Sequence, residues 1–301
     1  MKRTIKGLGK QLRLNFDCYL FLAPFALIFI AFTVVPVVMS LVLSFTSYNV
    51  LEFPQFVGWK NYINLFLYDD IFLLAAKNTL VIAVIVGPVG YLMSLLLAWS
   101  INELNPKLRA VMVVLFYAPS ISGAVYMIWT LLFSGDVYGY VNSLLMYLGV
   151  VTEPVQWLTD TRYMLAVVIL VMVWMSLGAG FLSFVAGLQT VDVTLYECGY
   201  IEGIKSRWQE LWFITLPAMR PQLMFGAVMS VTAAFSVGEV TTALCGFPST
   251  DYAAHTILNH LTDYGTVRFE MGYACAIATI LFVITVAING AIQRMLEKIG
   301  K

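Results

Sequence analysis

Charged side chains are concentrated in one segment of this sequence, YECGYIEGIKSRWQELWFITLPAMRP at residues 196–221, which lies between two long apolar runs. The segment contains acidic and basic residues together with glycines and prolines. Its side chains can therefore cap helix ends, form ion pairs and contact another protein. Catalysis in a chain of this kind would instead need clustered His, Glu or Asp within the apolar runs, and the sequence has no such cluster. The segment therefore predicts recognition rather than reaction.

Metal, redox and nucleotide sites are not predicted either. His255 and His260 are five residues apart without acidic or cysteine neighbours, and we expect loop residues rather than metal ligands. The nearest approach to a phosphate-binding GxxxxGK[ST] motif, GLGKQ at residues 7–11, lacks the first glycine spacing and the Ser or Thr. The chain is therefore predicted to bind no cofactor, and any ATP with its magnesium must be bound by another polypeptide. The cysteines are scattered without CxxC spacing: Cys18, Cys198, Cys245 and Cys275.

The elements that must position these residues are membrane spans. Hydrophobic residues make up 60% of the chain and charged residues 11%, against roughly 25% charged in soluble domains. Six apolar stretches, one of them broken only by Glu239, reach the ~20 residues that cross a bilayer as a helix. We predict an all-α integral membrane protein, a single domain over residues 1–301. Its six spans are expected at about 18–46, 78–101, 110–133, 163–188, 221–245 and 270–293.

Basic residues predict the orientation. An even number of spans places both chain ends, and the loops after the second and fourth spans, on one side of the membrane. Basic residues are enriched on that side, which is therefore expected to be cytoplasmic. The segment at 190–220, here called the charged loop, then lies in the cytoplasm. Zero net charge gives no indication of nucleic-acid binding. The basic residues of this set are Lys2, Arg3, Lys6, Lys10, Arg13, Lys107, Arg109, Lys205, Arg207, Arg220, Arg294, Lys298 and Lys301.

Local signals predict two helices in the charged loop. Thr194 followed by Glu197 fits a capping box, so a helix is expected to start at Leu195 and to end at Gly203. Ser206 followed by Gln209 fits a second capping box, and Trp208, Leu211 and Trp212 give the second helix an apolar face. Leu216-Pro217 is expected to end it, because the residue before proline avoids helical geometry. These features fit two alternatives, a helix lying on the inner leaflet and a helix that docks a cytoplasmic protein.

A family resemblance lies in the same segment. Glu197-Cys198-Gly199, then Glu202-Gly203-Ile204, then Ile214-Thr215-Leu216-Pro217 resembles the EAA loop of binding-protein-dependent ABC importer permeases, whose pattern is Glu-Ala-Ala, Asp-Gly-Ala and Ile-x-Leu-Pro. FVGWKNYINLF after the first span, and GDVYGYVNSLL followed by Trp157-Leu158, are similar to the carbohydrate (MalF/UgpA-like) branch of that family.

The resemblance implies a type I ABC importer permease fold of six transmembrane helices and a plasma-membrane location in a bacterium. It implies a permease subunit that translocates a sugar, oligosaccharide or related polyol and is not itself an enzyme. The implied partners are a dimer of cytoplasmic ATPases, a second homologous permease subunit, and an external solute-binding protein that delivers the substrate. It assigns ATPase coupling to Glu197, Cys198, Gly199, Glu202, Gly203, Leu216 and Pro217. Glu197 either only caps its helix or also contacts the ATPase. The alternative is an ion-coupled secondary carrier, although such carriers use paired ionisable residues near the midplane and this chain offers only Glu239.

Three residues are candidates for the substrate path. Glu239 is the one ionisable residue within a span, where charge is costly and often functional, but it lies close enough to the span end to be a water-exposed interface position instead. Tyr126 and Trp174 could stack on a sugar, although aromatic core packing is the alternative for both.

Overall fold

The computed structural model describes residues 15–123 and 125–296. The basic residues at the two ends that contribute to the predicted orientation lie outside these residues, as does the GLGKQ stretch at 7–11. They are Lys2, Arg3, Lys6, Lys10, Arg13, Lys298 and Lys301.

The regular secondary structure of the described residues is helical apart from one short antiparallel hairpin, in which Thr46 pairs with Phe56 and Ser47 with Gln55. The elements of the first half are α1 (Phe16–Phe29), α2 (Val35–Leu43), β1 (Thr46–Ser47), β2 (Gln55–Phe56), α3 (Lys60–Leu67), α4 (Asp70–Asn102), α5 (Pro106–Ile121), α6 (Val125–Leu132) and α7 (Tyr140–Tyr147). Those of the second half are α8 (Met164–Met175), α9 (Ala179–Thr190), α10 (Val193–Ile201), α11 (Arg207–Glu210), α12 (Leu216–Ala218), α13 (Arg220–Phe235), α14 (Gly238–Cys245), α15 (Ile257–Thr262) and α16 (Met271–Leu296).

Four helical segments of the described chain are long and apolar enough to cross a bilayer, and the number rises to six if each of two bent helix pairs is one span. The pairs are α5 with α6 and α13 with α14, the latter bent by 43°. The predicted all-α membrane fold is therefore confirmed. α4 extends beyond its charge-free stretch, because the Asp69 side chain accepts the Phe72 N–H at 2.9 Å and caps the helix outside the apolar run.

The centre of the bundle is a close contact of α4, α9 and α13. Small residues make it possible: a Cβ atom on Gly226 would collide with the Phe184 ring, and one on Gly90 would lie 2.6 Å from Ser176 Cβ. Lipid offers no hydrophobic force to bring helices together, so close backbone approach and dispersion contacts have to do so. These two glycines thus serve packing within the chain.

The first span stands away from this centre. α1 and α2 continue one into the other through a π-helical turn at Ile30–Val34, and α2 contacts α16. In the most apolar 18-residue stretch of this span, no residue is buried against the rest of the described chain. Its exposed leucines, isoleucines and phenylalanines suit contact with lipid tails or with apolar helices of a partner.

Candidate functional site

The charged loop begins with a helix whose cap differs from the predicted one. α10 starts at Val193, and its N-cap is Asp192, whose Oδ1 accepts the Thr194 N–H at 2.9 Å. This hydrogen bond lowers the pKa of Asp192. The predicted capping box of Thr194 and Glu197 with a start at Leu195 is wrong. Asp192 has the extended backbone of an N-cap, and an Asp side chain caps at least as well as Thr, so the helix begins earlier.

The end of α10 is confirmed at Gly203. The Gly203 N–H donates to the Tyr200 carbonyl at 3.2 Å, and the Ile204 N–H donates to the Gly199 carbonyl at 2.9 Å. These two bonds form a Schellman motif. Gly203 has φ +97°, a backbone conformation that only glycine adopts without strain. The turn therefore depends on the absence of a side chain at this position.

The second loop helix starts as predicted and ends later than predicted. Ser206 and Gln209 form the capping box, with the Ser206 N–H donating to Gln209 Oε1 at 3.2 Å. From α11 the helix continues through a π-helical turn at Leu211–Thr215 into α12, so the expected end at Leu216-Pro217 is wrong.

The π-helical turn explains why Pro217 is tolerated. Within it the Leu216 N–H donates to the Leu211 carbonyl, five residues back. Proline in a regular α-helix clashes with the carbonyl four residues earlier, and a turn that spans five residues instead of four relieves such a clash. The same order recurs in the first span, where the π-helical turn at Ile30–Val34 precedes Pro36.

Side-chain contacts join the two loop helices to each other and hold the charged loop against the bundle. The Tyr196 hydroxyl and Thr215 Oγ1 are 2.9 Å apart and join the two loop helices. Trp208 packs on Trp99 of α4 with ring centroids 5.1 Å apart, and Arg207 Nε lies 3.4 Å from Glu103 Oε1 just beyond α4. The Arg207 pair is exposed and contributes little stability. Nothing in the sequence pairs the loop with Trp99 or Glu103, and the helical spacing of Trp208 is the only signal of an apolar contact there.

The loop also exposes a surface of mixed apolar and acidic character. Tyr200 and Ile201 are 77% and 84% exposed at the tip of α10, and Trp212 and Phe213 on the second helix are 68% and 65% exposed. The predicted coupling residues divide between this surface and the bundle. Glu197, Cys198, Glu202 and Gly203 are exposed, Gly199 is buried, and Leu216 and Pro217 are half-buried.

Two of the three substrate-path candidates, Tyr126 and Glu239, lie near each other, and the third, Trp174, contacts the helix that carries Tyr126. Tyr126 on α6 is close enough to Glu239 on α14 for the two to interact electrostatically. Trp174 on α8 meets Trp129 edge-to-face at 5.3 Å, and Trp129 stacks with Phe133 at 5.8 Å. Glu239 is exposed on the chain, while Tyr126 and Trp174 are half-buried. Trp129 and Phe133 were not among the predicted residues. Together with Tyr126 and Trp174 they form a group of aromatic side chains, here called the aromatic wall.

A buried polar cluster lies at the end of the bundle opposite the charged loop. Asp69 Oδ2 accepts the Tyr273 hydroxyl at 2.8 Å and lies 3.0 Å from His260 Nε2. His260 and His255 are 1% and 3% exposed, and their rings meet edge-to-face at 5.5 Å. The expectation that the histidines have no acidic neighbour is wrong. Asp69 is distant from them in sequence but adjacent in space. In residues 15–123 and 125–296, no three His, Cys, Asp or Glu side chains are arranged to hold a metal ion.

Burial and hydrogen bonding together set the protonation of this cluster. Burial lowers the pKa of His255 to about 4, assisted by the neighbouring His260. For Asp69, burial acts to raise the pKa, but hydrogen bonds from His260, Phe72 N–H and Tyr273 lower it to about 2. His255 also packs against aromatic rings and is affected by other charges. These neighbours are Phe247, Tyr252, Asp263, Asp69 and Arg268.

Acidification is expected to destabilise this end of the protein. Since the folded-state pKa of His255 lies below its ordinary value of 6.5, the folded state binds fewer protons than the unfolded state. The stabilisation is complete above about pH 6.5 and is lost as the pH falls toward 4, by roughly 3 kcal/mol. Thermal unfolding of the purified chain in nanodiscs between pH 7 and pH 4.5 measures it. His255→Leu should flatten this dependence, and an unchanged slope in that variant would contradict the assignment.

The fold and the charged loop define a class of protein, a polytopic helical membrane protein that presents a folded two-helix loop at one end of its bundle. Residues 88–298 match the family described as "Binding-protein-dependent transport system inner membrane component". The chain belongs to this family and is a transport permease component.

Relatives agree along most of the chain. It is 32% identical over 282 residues to the probable ABC transporter permease protein YesP of Bacillus subtilis (strain 168), covering 90% of this chain and 87% of the relative. It is 32% identical over 217 residues to the lactose transport system permease protein LacF of Rhizobium radiobacter, covering 70% of each. The chain has the fold of a solved bacterial ABC transporter involved in the import of the acidic polysaccharide alginate (TM-score 0.78, 24% identity, 98% of this chain and 99% of that chain).

Proposed function

We propose that this chain is one of two permease subunits of an ATP-driven importer for a sugar, oligosaccharide or related polyol. It would lie in the bacterial plasma membrane with both termini and the charged loop in the cytoplasm. An external solute-binding protein would deliver the substrate to the opposite end of the bundle. Support comes from relatives named for lactose and arabinooligosaccharide transport, and from a similar alginate transporter solved with a saccharide-bound periplasmic protein. Family membership disfavours the ion-coupled carrier.

The observation that carries the proposal is the exposed surface of the charged loop. Tyr200 and Ile201 leave large apolar groups in solvent at the tip of a helix that ends in a Schellman turn. A short helix that presents exposed apolar anchors can fit a groove on another protein, here a subunit of a cytoplasmic ATPase dimer that binds ATP with magnesium. Glu197 makes no cap in α10, so its exposed carboxylate is available for that contact.

Contacts with the bundle would carry the movement of the ATPase into the spans. Trp208 meets Trp99 near the end of α4, and the Tyr196–Thr215 bond connects the two loop helices. The second helix runs through Pro217 toward α13 with a break at Met219. A tilt of the docked helix would therefore reach both α4 and α13, which pack on each other in the centre of the bundle.

Reconstitution tests the function. The chain is purified from the membranes of its native host under mild detergent, with its associated proteins retained. A co-purifying ATPase, together with sugar uptake into proteoliposomes that requires ATP and the solute-binding protein, is the expected result. Uptake by the isolated chain driven by an ion gradient would favour the carrier and contradict the proposal.

The aromatic wall beside Glu239 is proposed to line the substrate path. Sugars bind aromatic faces and hydrogen-bonding groups together. Tyr126 supplies a face near the Glu239 carboxylate, and Trp174 supplies one against Trp129 on the same helix as Tyr126. Trp174→Ala should lower transport about tenfold by removing one stacking face. Trp59→Ala, at an exposed tryptophan packed on Phe45 and Tyr62, is the control for loss of an aromatic group elsewhere. Equal transport by the two variants would place Trp174 outside the path.

A further inference from the structure

A polar cavity of about 870 Å³ lies at the end of the bundle opposite the charged loop. Its walls are the hairpin of β1 and β2, α3, and the first turns of α4 and α16. Sites for small molecules have volumes of roughly 300–1,000 Å³, so the cavity has room for a ligand of several rings. Among the described residues, those that line it belong neither to the charged loop nor to the aromatic wall.

Hydrogen bonds and one close backbone contact hold the walls in place. The Asn61 amide on α3 donates to the Ser44 and Thr46 carbonyls, at 2.9 Å each. The Gly272 N–H at the start of α16 donates to the Tyr48 carbonyl at 3.0 Å. A Cβ atom on Gly272 would collide with the carbonyl oxygen of Thr46, so the hairpin lies directly on the helix backbone. The cavity is therefore formed before a ligand enters, which lowers the entropy cost of binding.

Tyrosine rings supply the aromatic surface of the cavity. Tyr273 is held by the hydrogen bond of its hydroxyl to Asp69, and its ring centroid lies 4.5 Å from that of Tyr264. Tyr68 is largely exposed, and within residues 15–123 and 125–296 its ring packs on no other aromatic ring. A face of Tyr68 is thus free to stack on a flat or ring-shaped ligand. Tyr48 is the fourth tyrosine of the lining.

Polar side chains beside these rings have no partner within the described part of the chain. They are the Asn64 amide and the carboxylates of Asp70 and Glu270. An amide both donates and accepts hydrogen bonds, and a carboxylate accepts them. Since no three His, Cys, Asp or Glu side chains of the described residues are arranged to hold a metal ion, these groups suit the hydroxyls of an organic ligand. Aromatic faces beside hydroxyl-binding groups are what a sugar ring needs.

The charges of the lining select among sugars. Carboxylates outnumber ammonium groups four to one, and Lys60 is the one cation. Asp69 already accepts hydrogen bonds from Phe72 and Tyr273, so its charge acts on a ligand through space. Like charges that are brought together in a site cost several kcal/mol. A sugar that carries carboxylate, sulfonate or phosphate groups is therefore repelled, whereas a neutral one is accepted.

We propose that this cavity is a binding site for a neutral saccharide at the outer end of the permease, separate from the aromatic wall. The proposal rests on the proposed function, which places this end outside the cell and makes the solute a carbohydrate. It adds a second site, which the solute contacts before it reaches the spans, and it specifies an uncharged solute.

Saturation-transfer NMR on the assembled transporter in nanodiscs, without the solute-binding protein, tests the proposal. Arabinotriose, maltotriose and raffinose are the neutral probes, and trigalacturonate is the acidic probe. At least one neutral probe should bind, and trigalacturonate should not. Tyr68→Ala should weaken the binding about tenfold through the lost stacking face, and Asp70→Asn should weaken it about fivefold through the weaker acceptor. Tyr147→Ala, at an exposed tyrosine that does not line the cavity, is the control.

Charge reversal gives a gain of binding that damage to the fold cannot produce. Asp70→Lys combined with Glu270→Lys should admit trigalacturonate, because both positions are exposed and face the cavity. Absence of binding by all three neutral probes, or equal binding by Tyr68→Ala and Tyr147→Ala, overturns the proposal. Unchanged saccharide binding by Tyr68→Ala together with weaker binding of the solute-binding protein also overturns it and assigns the cavity to that protein. Failure of the proposed function is separate, because it would appear as a lack of ATP-dependent sugar uptake by the unmodified transporter.

Discussion

Gly203→Val is expected to leave the protein in the membrane and to uncouple ATP hydrolysis from transport. Gly203 has φ +97°, and a β-branched residue is strained there. The variant would lose the Schellman turn that ends α10. The chain after α10 would then no longer turn back toward Ser206, where the second loop helix begins. Because open space surrounds the position, the cost comes from the backbone rather than from a clash. Uptake by proteoliposomes should fall at least about tenfold, while the permease remains inserted.

The controls separate backbone strain from side-chain volume. Gly203→Asn should retain more transport than the valine variant, since asparagine tolerates positive φ better. Gly290→Val adds the same side chain in open space on α16 and should leave coupling intact. Transport by Gly203→Val at the rate of the unmodified protein would contradict the assignment of the charged loop to coupling.

Asp69→Ala is expected to give the largest loss of stability. Its carboxylate caps α4 through the Phe72 N–H and accepts the Tyr273 hydroxyl, and it lies beside His260, which is almost fully buried. The alanine variant loses the cap and leaves buried donors without acceptors. We expect a loss of roughly 3–5 kcal/mol, the sum of a lost helix cap and of buried donors left without an acceptor. Thermal unfolding of the full chain in nanodiscs measures this loss.

Asp70→Ala is the matched control, because Asp70 is exposed in the first turn of the same helix. It should cost less than about 1 kcal/mol, the size of a helix-dipole interaction. Asp69→Asn keeps an oxygen for the cap and should fall between the two. Similar unfolding temperatures for Asp69→Ala and Asp70→Ala would show that the cluster contributes little to stability.

Within the charged loop, short-range signals decided some features and failed for others. The Gly203 turn and the Ser206–Gln209 box depend on residues a few positions apart, so local sequence predicts them. The predicted start of α10 at Leu195 was wrong because Asp192 and Thr194 can both cap a helix and only Asp192 does so. The predicted end of the second helix at Leu216-Pro217 was wrong because a π-helical turn accommodates the proline, and no pattern in the sequence marks that turn.

The sequence by itself determined that this is a helical membrane chain with a folded charged loop and an EAA-like pattern. Hydropathy and local hydrogen-bonding preferences involve residues no farther apart than the length of one span. They can therefore be inferred from consecutive residues of the sequence. Only the tertiary structure decided which distant groups meet. Asp69 and His260 are 191 positions apart and share a hydrogen bond, and Trp99 meets Trp208. Helix packing and side-chain volume set these contacts, as they do at Gly226, where the buried Phe184 ring occupies the space that a side chain would need.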